Sequence, residues 1–152
     1  MADDATVVMK ATILPDEIAK SITVTTTNSP KDANDKCYYK PTSVSDASTD
    51  LIAGRFIYYT AVDDDTDQTA VSTSDKVEFL FIQNLDSTQD IYIVLDANTV
   101  SNTTTDAIKI KAGASWYAHL PNTTVGDIHA IGYDGSTATA TNAIVAALID
   151  DV

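Results

Sequence analysis

The sequence predicts an all-β fold, a single-domain β-sandwich of jelly-roll kind with short loops and at most one or two short helical turns. Three observations lead there. Of the 22 acidic residues, 20 are Asp and only Glu17 and Glu78 are Glu. Asp competes with its own backbone for hydrogen bonds and settles in turns and caps, while solvent-facing helices draw on Glu, Lys, Arg and Gln, which are scarce here. Thr is abundant, and with Val, Ile and seven Tyr it supplies the β-branched and aromatic side chains that suit a pleated, half-buried surface. About nine short apolar or alternating stretches, roughly 8–15 residues apart and broken by Pro, Gly, Asn and Asp, complete the pattern.

Taken in order, Val7 to Leu14 reads as a strand, with Val7, Met9, Ala11 and Ile13 on one face and Lys10 and Thr12 on the other. Pro15 stops it, and Pro15 to Lys20 suits one helical turn. Ile22 to Thr27 alternates Ile22 and Val24 against Thr23 and Thr25, the mark of a half-buried strand; Asn28 to Lys36 is a loop. Cys37-Tyr38-Tyr39-Lys40-Pro41 is a short extended piece placed on an edge, because Pro41 cannot donate to a ladder, and Thr42 to Asp50 is a polar loop. Phe56 to Val62 reads as a strand contacted on both faces, followed by the acidic run Asp63 to Asp67 and a weak strand over Ala70 to Ser74.

The strongest signal is Val77 to Asn84, a turn over Leu85 to Asp90, and Ile91 to Asp96, which together predict a β-hairpin. Both strands are apolar in both registers and so belong in the middle of a sheet. Ala107 to Lys111 buries Ile108 and Ile110 beneath solvated Lys109 and Lys111. After the turn Ala112 to Ser115, Trp116, Ala118 and Leu120 point one way until Pro121 ends the strand. Asp127 to Tyr133 is a further strand, and Asp134-Gly135 has tight-hairpin chemistry. The last segment fits a helix through Ile144, Ala147 and Leu148 but is read as a strand over Ile144 to Ile149.

At 152 residues and 16.2 kDa the chain is one ordinary domain, able to bury about 68–70% of the surface its unfolded form exposes. Residues 1–14 are set apart as an N-terminal strand or arm, and 15–152 as one sandwich domain. A hydrophobic share of 44% and a mean hydropathy of −0.04 suit a chain with a real core. The net charge of −13 repels a phosphate backbone and an anionic membrane, so neither nucleic acid nor membrane is an expected partner. The single Cys37 makes no internal disulfide, and the acidic start Met1-Ala2-Asp3-Asp4 lacks the basic n-region of a signal peptide; synthesis in the cytoplasm fits both.

No residue set composes a catalytic centre, and no cofactor or metal is expected. Asp63, Asp65 and Asp67 have the 1-3-5 spacing of a calcium loop, but Gln68 stands where the sharp-turn Gly belongs and Ser74 where a bidentate Glu should close it, so a solvated acidic loop is preferred. His119 and His129 lack metal-ligand spacing and are read as strand residues making one hydrogen bond each. No G-x-S-x-G elbow supports a hydrolase. What stands out is the doubled aromatics Tyr38-Tyr39, Tyr58-Tyr59 and Trp116-Tyr117. On a strand one member of each pair points away from the core, the composition of a protein or carbohydrate contact surface, or of a second buried layer. These six residues are the candidate interface.

Lys10 to Ala19, Phe79 to Leu95, and Ile108-Lys109-Ile110-Lys111-Ala112-Gly113-Ala114-Ser115-Trp116 resemble small virion proteins of tailed bacteriophages. In such proteins a strand ending in IKI-x-AG-x-x-W precedes short strands and a terminal strand, and the whole is similar to capsid decoration (cement) proteins and related accessory β-domains of head or tail. The resemblance implies a non-enzymatic protein on the capsid surface of the virion, bound to a major capsid protein and self-associating as a dimer or trimer. Phe56 to Val62, Val77 to Asn84 and an N-terminal arm are the expected contacts. The alternative is a head or tail domain that recognises a glycan or protein of the host surface, with outward Tyr and Trp116 as its platform; a small metal-dependent hydrolase is a third reading.

Overall fold

In a computed structural model of the chain, the described residues are 5–13, 20–29, 36–58 and 68–150. They form thirteen strands and one 3-10 turn, Val125–Asp127. The strands are β1 (Ala5–Ile13), β2 (Lys20–Asn28), β3 (Lys36–Val44), β4 (Thr49–Asp50), β5 (Arg55–Tyr58), β6 (Gln68–Ala70), β7 (Lys76–Asn84), β8 (Asp90–Val94), β9 (Ile108–Ile110), β10 (Ser115–Thr124), β11 (His129–Asp134), β12 (Thr137–Ala138) and β13 (Thr141–Asp150).

Two antiparallel sheets make the body: a six-stranded one in the order β10-β7-β13-β3-β5-β6, and a five-stranded one in the order β12-β11-β8-β9 with β4 also on β11. Apart from the excursion through β5 and β6, the path runs β3-β13-β7-β10 in one sheet and β4-β11-β8-β9 in the other, crossing repeatedly between them. That is the topology of a jelly roll. The predicted all-β sandwich is therefore the observed fold.

Alternation seats each strand. Along β13, Ala143, Val145, Ala147 and Ile149 point inward, and across the core they meet Ile91 and Ile93 of β8, Ile110 of β9 and Ala130 of β11. On β7, Leu80 and Ile82 face the same core, and so does Val77, although its spacing from Leu80 is odd. A register shift opposite Leu148 and Ile149 leaves Glu78 as an extra residue, and this bulge brings Val77 to the core side; Phe79 and Phe81 fall on the other face, so β7 is apolar in both registers. A smaller cluster of Val94, Val100 and Ile131 closes the far side of the five-stranded sheet beneath residues 95–107.

Several expectations are corrected. β7 and β8 are not a hairpin: β7 pairs with β10 and β13, β8 with β11 and β9, in different sheets. Their central placement is as expected; their pairing is not, because both turn signals and apolar runs are shared by hairpins and by sandwich crossovers. β3 is nine residues long and pairs with β13 throughout, taking in part of the expected loop from Thr42, while β4 takes its end. Pro41 is tolerated because pairing with β5 stops at Cys37, so beyond it that side of β3 is an edge. Pro121 does not end β10, since a register shift between His119 and Thr123 removes the ladder bond it cannot make. The strand expected from Ala70 ends there instead, with a turn beyond it. Ile22 and Val24 lie on a strand, as read, but are exposed where half-burial was expected. The C-terminal strand and the Asp134-Gly135 hairpin are present; Gly135 has φ of 63° at the first position of the two-residue turn, where a side chain would be strained. The helical turn read after Pro15 and the acidic run Asp63 to Asp67, with its calcium question, lie outside the described residues.

Candidate interaction surface

The outer face of the six-stranded sheet carries two cross-strand rows. Tyr117 of β10, Phe81 of β7, Ala146 of β13 and Tyr39 of β3 are successive partners; His119, Phe79, Leu148 and Cys37 form the next row. Phe79 lies 6.0 Å from the Tyr117 ring and 5.9 Å from the His119 ring, in tilted and edge-on geometry, the arrangement that aromatic quadrupoles favour. Phe79 and Leu148 are buried, Phe81 and Tyr117 half-buried, and Tyr39 stands 68% exposed. The strands β3, β7, β10 and β13 carry Glu78 and Asp150 as their only carboxylates. In a chain of net charge −13, this is a patch where another protein meets little like-charge repulsion.

Beside it lies the two-stranded sheet of β1 and β2, paired from Ala5↔Asn28 to Ile13↔Lys20. The first residues of β1, Ala5 to Val8, border a cleft of about 340 Å³ whose other wall is Phe79, Phe81 and Ala146. Farther out the apolar side chains meet solvent: Val8 is 64% exposed, Ile22 55%, Val24 45% and Met9 42%. A sheet of two strands is marginal in water by itself, and these exposed apolar side chains make it a candidate contact surface. The strand read over Val7 to Leu14 is thus paired with β2, which stands apart from the sandwich sheets.

The candidate residues separate as strand alternation requires. Tyr38 is only 2% exposed, its hydroxyl donating to the Ala53 carbonyl at 3.3 Å, and burial pushes its pKa above the usual value. It serves the core and not a surface, whereas its neighbour Tyr39 faces out. Trp116 packs against the core cluster, and Tyr117 joins the outer face. Tyr59 and the Tyr58 side chain lie outside what the structure describes. Phe81 and Met9 fall within the segments expected to make contacts, whereas sequence reasoning missed Ala146, Ile22 and Val24 as surface residues. The strict Thr alternation of β2 was a signal for them, but alternation reports only that two faces differ.

The outer face of the five-stranded sheet is different in kind. Tyr92 and Tyr133 meet edge to face at 5.6 Å, and the Lys109 ammonium sits 5.4 Å from the Tyr92 ring centre. Lys109 Nζ lies 2.6 Å from the Asp90 carboxylate. Partial burial pushes the Asp90 carboxyl up, but the Lys109 hydrogen bond, the Ala112 N–H and the charges of Lys109 and Lys111 outweigh it, and the carboxyl is held below its usual range. Such a group contributes stability that is whole above the unfolded value of about 3.9 and is lost as pH falls from there through the lower folded value. Replacing Lys109 by Met is expected to shrink the stability lost between about pH 5 and about pH 3, measured by urea unfolding at each pH. An equal acid loss in both proteins would refute that assignment.

His129 is fixed between Asn98, whose carbonyl lies 3.0 Å from Nδ1, and Asp50, whose carboxylate lies 3.1 Å from Nε2. His119 is exposed at the rim of the aromatic rows. Among the described residues no three His, Cys, Asp or Glu side chains gather as metal ligands, and no helix is long and apolar enough to cross a membrane.

No known family model matches the chain, and no curated protein sequence does. Among solved structures the chain is similar to the coat protein of Tobacco streak virus, with 12% identity over 79% of this chain and 88% of that one and a TM-score of 0.39. At that level of likeness no functional property passes from one protein to the other.

Proposed function

We propose that this chain is a virion structural protein of the decoration, or cement, type, which attaches to a shell of major capsid protein and stabilises it by binding energy alone. The observation that carries this reading is the pairing of a jelly-roll body with adhesive surfaces: the carboxylate-poor aromatic face around Tyr39 and Tyr117, and the exposed apolar arm. The sequence resemblance to phage decoration proteins points the same way. Each attached copy would bury area that is lost when the shell opens, so the closed lattice gains by mass action, and a large copy number multiplies modest contacts. No step of this requires a catalytic group, a cofactor or a metal.

The test is to incubate the purified chain with capsids of its own phage lacking it. Co-sedimentation, density for the chain on the capsid surface by cryo-electron microscopy, and a raised temperature of shell disruption are expected. A chain that does not sediment with the shell, or that cryo-electron microscopy finds at the tail tip, refutes the reading. The Tyr92–Tyr133 pair with Lys109 and Asp90 beside it favours one alternative, recognition of a host-surface glycan by stacking on Tyr92. Glycan-array binding abolished by Tyr92→Ala would establish that alternative; Trp116, half-buried against the core, is not its platform.

A further inference from the structure

We infer that His129 is the pin of a pH-sensitive latch, which holds the segment Asp96 to Thr99 against β11 while the ring carries protons on both nitrogens and releases it when one proton leaves. The ring belongs to the first residue of β11 and lies between Asp50 of β4 and the segment that follows β8. Nε2 is 3.1 Å from an Asp50 carboxylate oxygen, and Nδ1 is 3.0 Å from the Asn98 carbonyl oxygen. Both partners are acceptors only, since a carbonyl has no proton to give and a carboxylate has none above about pH 4. An imidazolium donates from both nitrogens and satisfies both oxygens. A neutral ring has one N–H and sets a lone pair against the other oxygen. The charge-assisted bond to the carboxylate is the stronger of the two. The remaining proton therefore stays on Nε2, and the contact with Asn98 is the one that fails.

The segment on the far side of that contact is held under strain. Ala97 has φ of 61°, in the left-handed region that an alanine side chain disfavours. Two hydrogen bonds flank it: its own N–H donates to the Asp127 carbonyl at 3.0 Å, and the carbonyl of Asn98 accepts from His129. Losing the second leaves one anchor against the strain. Asp96 to Thr99 are exposed, so burial adds little to hold them. Val100 is buried with Val94 and Ile131, and its N–H donates to Ser48 Oγ at 3.0 Å, so release stops there. The charged groups on the elements around the ring are all carboxylates. Besides Asp50 they are Asp96, which accepts the Asn98 N–H, Asp127, which accepts from Thr124, Asp46 and Asp106 in the flanking loops, and Asp90 at the opposite end of β8, paired with Lys109 of β9. No Lys or Arg stands on β4, β8, β11, the 3-10 turn or residues 95–107 to oppose a charge on the ring.

The test is amide hydrogen exchange of the full chain, read by nuclear magnetic resonance between about pH 5 and about pH 8, the range over which an imidazole changes charge. Each rate is divided by the intrinsic rate at that pH. The closed latch binds one proton more than the open one, so protection of the Ala97 N–H is expected to fall about tenfold or more as pH rises. Protection of the Val100 N–H and of the Gly132 N–H, which bonds the Ser45 carbonyl from the same strand as His129, is expected to hold. Asp50→Asn is the sharper arm, and the Asp50 side chain is 43% exposed, so the fold tolerates the change. An amide there donates to a bare Nε2 and lets a neutral ring keep its one proton on Nδ1 for Asn98. The fall is then expected to vanish, with the latch closed at pH 8. His119→Gln removes the chain's other imidazole and is expected to leave the fall as it is. A flat Ala97 profile in wild type, an equal fall at Gly132, a fall retained by Asp50→Asn, or one abolished by His119→Gln overturns the inference.

Discussion

Gly132→Ala is expected to cost at least about 3 kcal/mol, lowering the unfolding midpoint by roughly 10 °C or leaving the chain insoluble. Gly132 is buried in β11, where the corners of the jelly roll cross. Its N–H donates to the Ser45 carbonyl at 2.9 Å and its own carbonyl accepts from the Thr139 N–H at 2.9 Å, tying β11 to the segments after β3 and before β13. A methyl group here would fall inside the contact radius of the Thr139 carbonyl oxygen, and within 3.1 Å of Thr141 Cγ2 and 3.2 Å of Thr141 N. Two of those three atoms are backbone, so relief requires moving a strand end. Thermal unfolding of the purified variant is the measurement; a midpoint within a degree or two of wild type would show that the crossing is looser than described. Gly113 and Gly135 have open space around the added carbon, and substitution there meets only the strain of a positive φ.

Asn84→Ala is expected to cost about 2–4 kcal/mol for a different reason, the stranding of buried polar backbone. Asn84 ends β7 and is 1% exposed. Its Nδ2 donates to the carbonyls of Gln89 at 2.8 Å and Ile110 at 3.3 Å, and its Oδ1 accepts the Asp86 N–H at 3.0 Å. One side chain thereby holds the crossover from β7 to β8 and binds the six-stranded sheet to β9 of the other. Alanine leaves those groups without this partner. Asn84→Asp is expected to be worse, because a carboxylate would face the two carbonyl oxygens that the amide now serves and be buried as a charge. Urea unfolding separates the cases: a loss below about 1 kcal/mol for alanine, or an aspartate milder than alanine, would show that the amide is not the clasp.

Asn84 also shows where sequence reading stops. The apolar runs of β7 and β8 and the Asp-rich turn between them are fully legible, yet the same signals describe a hairpin and a sandwich crossover. What separates the two is pairing with distant strands, β7 with β10 and β13 and β8 with β11 and β9, and the Asn84 amide, which reaches Ile110 26 positions away, spans the two sheets so formed. Likewise the doubled aromatics announce that one ring of each pair faces out, and Tyr38 with Tyr39 obeys. Which face then meets solvent depends on what packs over it, and Phe79 is buried on the same outer face that leaves Tyr39 bare. Pro41 and Pro121 read as strand breakers, but an edge and a bulge spare both, and neither is a local property.

Composition and alternation were sufficient for the all-β class, for nearly every strand described and for the rule that one residue of each aromatic pair turns away from the core. Those properties follow from each residue's own conformational preference and from the period of two along a strand. Tertiary structure alone decided which strands pair, that β1 and β2 make a two-stranded sheet of their own, and that the six-stranded sheet presents Phe81, Tyr117 and Tyr39 as one surface. Pairing depends on contacts between residues far apart in the chain, and a short-range pattern holds no record of them.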